Sequence, residues 1–111
     1  MTELESIPVI KFPSGSLASR KSAIPYRDQL DQYLATGTAR VNIDLEETEF
    51  ISGSFADESI ACLILKYGFE KVVSTIRLIH ANEFCKNGIA KALLERKNEL
   101  LAQNNSEALV G

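Results

Sequence analysis

The amino-acid sequence predicts an α/β fold: a single domain over residues 1–111, built as a small mixed sheet with helices mainly on one face. Three observations predict it. Stretches with strand character alternate with stretches of helical spacing, the order that gives strand–helix–strand units with right-handed crossovers. Val41-Asn42-Ile43-Asp44-Leu45 alternates apolar and polar residues, whereas a strand covered on both faces is apolar throughout. A chain of 111 residues suffices for one core, since a domain of this size buries roughly two-thirds of its unfolded surface.

Ile7 to Phe12 is a short β-prone run ended by Pro13; Pro8 has no N–H to give a ladder, which puts this strand at a sheet edge. Ser14 to Ser22 reads as a polar loop holding a helical turn near Ser19 to Lys21. From Ile24 to Ala35, Tyr26, Leu30, Tyr33 and Leu34 share a helical face, Pro25 suits the first turn and Gly37 the exit. After the Val41–Leu45 strand, Glu46, Glu47 and Glu49 form a solvated acidic loop around Thr48.

Phe50-Ile51 leads into Ser52-Gly53-Ser54, and a helix follows from Phe55 to Tyr67, stopped by Gly68. Ser54 is its expected N-cap, with Asp57 as the acidic partner three residues on. Ala56, Ile60, Leu63, Ile64 and Tyr67 make a core stripe, and Phe55, Ala61, Cys62 and Leu65 widen the apolar surface beyond one face. Such a helix is either deeply buried or partly covered by a partner. A third strand runs from Thr75 to His80, and a last helix from a cap at Asn82 to Gln103. Gly88 weakens that helix by about 1 kcal/mol relative to Ala. Residues 1–6 and 104–111 read as flexible tails.

Composition excludes several functions. The net charge of -3 offers no general attraction to phosphate backbones or anionic lipid, so neither nucleic acid nor membrane is an expected partner. No apolar run approaches the roughly 18 residues of a membrane span, and Met1 to Ser6 lacks the apolar core of a signal peptide. A cytoplasmic protein is expected, with Cys62 and Cys85 as reduced core thiols.

Chemistry-bearing motifs are scarce. Ser14-Gly15-Ser16 lacks the Gly-Lys pair of a phosphate loop, and Gly53-Ser54-Phe55 lacks the second glycine of a nucleophile elbow. His80 is the sole histidine, without a base or ligand partner in sequence, and reads as structural; with two separated cysteines it makes no metal set. Asp57 and Glu58 point about 100° apart on a helix and do not converge on one substrate; both suit the positive end of the helix dipole. The expectation is no enzyme, no catalytic residue, no metal and no cofactor. At Ser54 two readings compete: a helix cap, which comes first, and a phosphoacceptor, since a helix N-terminus favours added negative charge.

Arg40 to Leu45, then Thr48 to Ser54, then a helix, a strand and a helix, resembles the STAS domain of bacterial anti-sigma factor antagonists. The closer similarity is to STAS-like bacterial domains whose serine-rich turn leads into Phe-Ala-Asp-Glu, here Ser52-Gly53-Ser54-Phe55-Ala56-Asp57-Glu58. The resemblance implies a STAS-like fold and a regulatory role in signal transduction. Antagonists of this kind dock onto a GHKL-type ATPase, a histidine-kinase-like protein, and phosphorylation of a serine at the helix start reverses the docking. Their turn reads Asp-Ser-Ser-Gly; laid on this chain, the positions are Ser52, Gly53, Ser54 as acceptor, and Phe55. The implied docking surface comprises Ser52, Gly53, Ser54, Phe55, Asp57, Glu58 and Cys62. A small-ligand or nucleotide sensor is the alternative, with its pocket at the same strand-to-helix turn.

Overall fold

A computed structural model describes the backbone of residues 7–110 and the side chains of residues 7–103. The elements are β1 (Val9–Lys11), β2 (Gly15–Leu17), α1 (Arg20–Ala35), β3 (Val41–Asp44) and β4 (Thr48–Ile51). They continue through α2 (Gly53–Ser59), a 3-10 turn (Ala61–Leu63), α3 (Ile64–Tyr67), α4 (Phe69–Thr75), β5 (Ile76–Ile79) and α5 (Glu83–Val110). Among the described residues, no helix is long and apolar enough to cross a membrane.

The α/β class is as expected, but the sheet is in two pieces. One has the order β1-β3-β5 and the other pairs β2 with β4; every described ladder is parallel, where the sequence suggested one mixed sheet. Parallel neighbours need crossovers, and each step from β1 to β3 to β5 moves the same way across the sheet. Right-handed connections then lay their helices on one face. Burial agrees: Ile10, Val41 and Ile43 are buried under the helices, while Val9, Lys11 and Arg77 on the other face are exposed. Strand β1 is at the edge, as Pro8 requires; its carbonyl still accepts from the Asn42 N–H.

The single helix expected over Phe55–Tyr67 is three short pieces. Ile60 leaves the helical region at φ -134° and ψ -58°, ending α2, and Gly68 at φ 90° separates α3 from α4. The breaks let Phe55, Ala56, Ile60, Ala61, Leu63 and Ile64 all reach the core. Helix α1 begins at Arg20, four residues earlier than expected, because Ser19 caps it by accepting from the Ser22 N–H at 3.0 Å. Pro25 therefore lies inside the helix rather than in its first turn.

Helix α5 starts at the expected cap, where Asn82 Oδ1 accepts from the Cys85 N–H at 2.8 Å. It runs on to Val110, through most of the stretch assigned to a C-terminal tail; the other assigned tail, 1–6, and residue 111 lie outside the described residues. Gly88 has a reason there. A Cβ on it would stand 3.1 Å from the Ile51 carbonyl oxygen and 3.3 Å from Ile51 Cγ2, so α5 crosses the end of β4 at backbone contact. Gly88→Ala is expected to destabilise the protein by about 1 kcal/mol in urea titration, although replacing a helical glycine normally stabilises by a similar amount.

Candidate functional site

The turn from β4 into α2 puts Ser52, not Ser54, at the helix cap. Ser52 Oγ accepts from the Phe55 N–H at 3.0 Å and donates to the Ala18 carbonyl at 2.9 Å. The Ser52 N–H also donates to the Leu17 carbonyl at 2.8 Å, so one residue ties the end of β4 to the start of α1. This corrects the capping assignment by two residues. Ser54 falls in the first turn of α2 and is exposed. Capping therefore no longer accounts for the Ser54 hydroxyl. Ser52→Ala is expected to cost about 1–2 kcal/mol, and Ser54→Ala less than about 0.5, by chemical denaturation.

The acidic pair also differs from its helix-dipole reading. Asp57 and Glu58 are held by three arginines brought from α1 and α5. Arg96 gives Asp57 two bonds, 2.6 Å from Nε and 2.7 Å from Nη2. Arg20 Nη1 lies 2.7 Å from Asp57 and 3.3 Å from Glu58, and Arg27 bonds Glu58 as well. Successive helix positions diverge, so the two carboxylates serve different neighbours and only Arg20 bridges them. The Arg96 guanidinium first, and Arg20 after it, hold the Asp57 carboxyl below its ordinary range. This network joins α1, α2 and α5 behind the turn. Periodicity could not find it, because its partners are more than 30 residues apart.

Two expected docking residues are not on the surface in the way the sequence suggested. Phe55 is fully buried, its ring 5.7 Å from Phe12 and 6.1 Å from Tyr26. It is a core anchor and leaves the docking surface. Cys62 is half-buried, with Sγ 3.3 Å from the Glu58 carbonyl, and burial pushes its thiol up, as it does for the buried Cys85. The wide apolar surface of the helix is thus mainly core; Leu65 is the exposed part of it.

Another exposed apolar surface lies on the other side of the turn. Phe50 on β4 and Phe84 on α5 are 47% and 71% exposed, and they flank an open groove of about 440 Å³. Gly53, Asn87, Gly88 and Lys91 are among the other residues that line it. The groove shares Gly53 and Glu95 with a second one that contains Ser54, so the turn stands between them. Sequence pattern does not single out this site: Phe84 counts toward the apolar content of the last helix, and Phe50 only leads into the serine turn.

His80 has a carboxylate neighbour that its place in the sequence did not offer. It leaves β5 with φ 58°, and its Nδ1 is 3.1 Å from Asp44 Oδ1; Asp44, Glu46 and His80 each offer an atom within 4.8 Å of the others.

A family model described as a STAS-like domain of unknown function matches residues 22–84, from the first turn of α1 to the start of α5. No curated protein and no solved structure matches the chain.

Proposed function

The chain belongs to this family of STAS-like domains, and from that premise we propose that it is a regulatory interaction module that acts by docking rather than by catalysis. The observation that carries the reading is the exposed Ser54 hydroxyl, released from capping by Ser52, beside a groove flanked by Phe50 and Phe84. Contiguous exposed aromatics beside a polar turn have the composition of a contact surface: rigid apolar anchors within a polar rim. The partner is a GHKL-type ATPase, the class that antagonists of the resembling family bind. Phosphate on Ser54 would add a charge of about -2 at the edge of the contact and oppose docking.

Titration calorimetry against such ATPases tests this. The folded protein is expected to bind, with Ser54→Asp and Phe84→Ala each weakening binding at least about tenfold at unchanged melting temperature, the loss of one anchor being worth about 1.4 kcal/mol or more. Failure of the folded protein to bind any of them would overturn the reading. A melting temperature raised by a nucleotide, and no longer raised in Ser54→Asp, would favour the sensor reading; the groove has the volume of a small-ligand site.

A further inference from the structure

Ser54 stands three residues before Asp57 on α2, and positions so spaced are neighbours on a helix, about 5–6 Å apart at Cβ. Ser54, Asp57, Arg20 and Arg96 line one groove of about 390 Å³, together with Glu95 and Glu99. A phosphate on Ser54 would enter a space that already holds two guanidinium groups, both engaged by Asp57. It would also face Asp57, Glu95 and Glu99, with Glu58 one position further along α2. A dianion facing three carboxylates needs a cation to come to it.

The two arginines are not equally free to do so. Arg96 holds Asp57 through two nitrogens, and its side chain is 24% exposed. Arg20 shares a single nitrogen between Asp57 and Glu58, and its side chain is 52% exposed. A planar fork bonded at two points, partly out of water, holds better than one solvated nitrogen divided between two acceptors. Resting on the phosphoserine reading above, we propose that Arg20 reads the modification: it leaves Asp57 and Glu58 for a phosphate on Ser54, while Arg96 stays on Asp57.

The phosphoryl group comes from a nucleoside triphosphate held by the partner. Ser54 Oγ gives its proton to a carboxylate base of the partner and forms a bond to the γ-phosphorus, the bond from that phosphorus to the β-phosphate oxygen breaks, and nucleoside diphosphate leaves with the electron pair. The product offers three acceptor oxygens to a guanidinium. Arg20 is the first residue of α1, next to the Ser19 cap and two residues from the Ala18 carbonyl that Ser52 holds. Its transfer therefore acts where the β2–α1 connection meets the docking turn.

The test needs no partner, so it fails or succeeds independently of docking. Protein carrying phosphoserine at position 54, introduced during translation, is compared with the unmodified protein and with the same phosphoprotein bearing Arg20→Gln. By ³¹P NMR, the second ionisation of the phosphate is expected about half a pH unit lower with Arg20 than with Arg20→Gln, and Arg20→Lys should keep part of that difference. Arginine Nε spectra should show the Arg20 resonance moving on phosphorylation and Arg96 keeping its place. Equal phosphate ionisation with and without Arg20 overturns the proposal. If Arg20→Gln does not fold, the Nε spectra decide alone: movement of Arg96 instead of Arg20, or of neither, overturns it.

Discussion

Phe55→Ala is expected to destabilise the protein by about 3–5 kcal/mol, measured by urea or thermal unfolding with the midpoint compared at constant m. The ring is completely buried, in edge contact with Phe12 and tilted contact with Tyr26. Removing it deletes the transfer free energy of a large side chain and leaves a cavity between α1, α2 and the strand end at Phe12. It also removes aromatic contacts worth about 0.5–1.5 kcal/mol beyond area. The same substitution separates core from surface. A docking residue would lose binding while keeping stability; Phe55→Ala should lose stability, and Phe55→Leu, which refills most of the volume, should recover much of it.

Asp57→Ala is expected to cost about 2–3 kcal/mol and to change the acid limb of the stability curve. The Asp57 side chain is 13% exposed, so its removal leaves the Arg96 guanidinium partly buried without its main partner, which is what makes breaking such a pair costly. The pH dependence has a definite sign. Folding lowers the Asp57 ionisation below its ordinary value, chiefly through Arg96. The unfolded chain thus binds more protons near that value, and stability rises with pH there. The contribution is fully present above the unfolded value of about 3.9 and disappears as pH falls through the lower folded one. In Asp57→Asn the stability curve between about pH 5 and pH 2 should be flatter than in the unmodified chain. An equally steep acid limb in both would remove Asp57 as its source.

The parts of the fold that local pattern encodes were legible. Val41, Ile43 and Leu45 point inward as their alternation predicts, Pro8 marks an edge strand, and Asn82 caps the last helix. Two short strands escaped because they have too few buried residues to set a period. In β2 only Leu17 is buried, and in β4 the two buried residues, Thr48 and Ile51, are three apart. Thr48 is read as loop among its glutamates, yet its hydroxyl donates to the Pro13 carbonyl at 2.7 Å and its backbone carries the pairing with β2. The broken helix from α2 to α3 looked continuous because 3-10 and α spacing place nearly the same apolar residues on one side over a single turn.

At the site, the turn itself was legible and the division of labour within it was not. Ser52 and Ser54 are both good caps by type; which of them serves depends on where the chain leaves β4 and on the Ala18 carbonyl, 34 residues away. The arginines that take up Asp57 and Glu58 come from two other helices, so only tertiary structure joins them. The apolar excess of the Phe55–Tyr67 stretch was real but pointed inward, and the exposed aromatics lay on neighbouring elements.

The central claim is that a partner docks at the Ser54 turn and the groove beside it. Its most direct measurement is a map of backbone amide shifts as a GHKL-type ATPase is titrated into the labelled protein. The expected result is a contiguous set of perturbed residues at Phe50, Gly53, Ser54, Phe84 and Asn87, with the open sheet face unchanged. Perturbation confined to Val9, Lys11 and Arg77 on that opposite face, or none at all with folded protein, would contradict it.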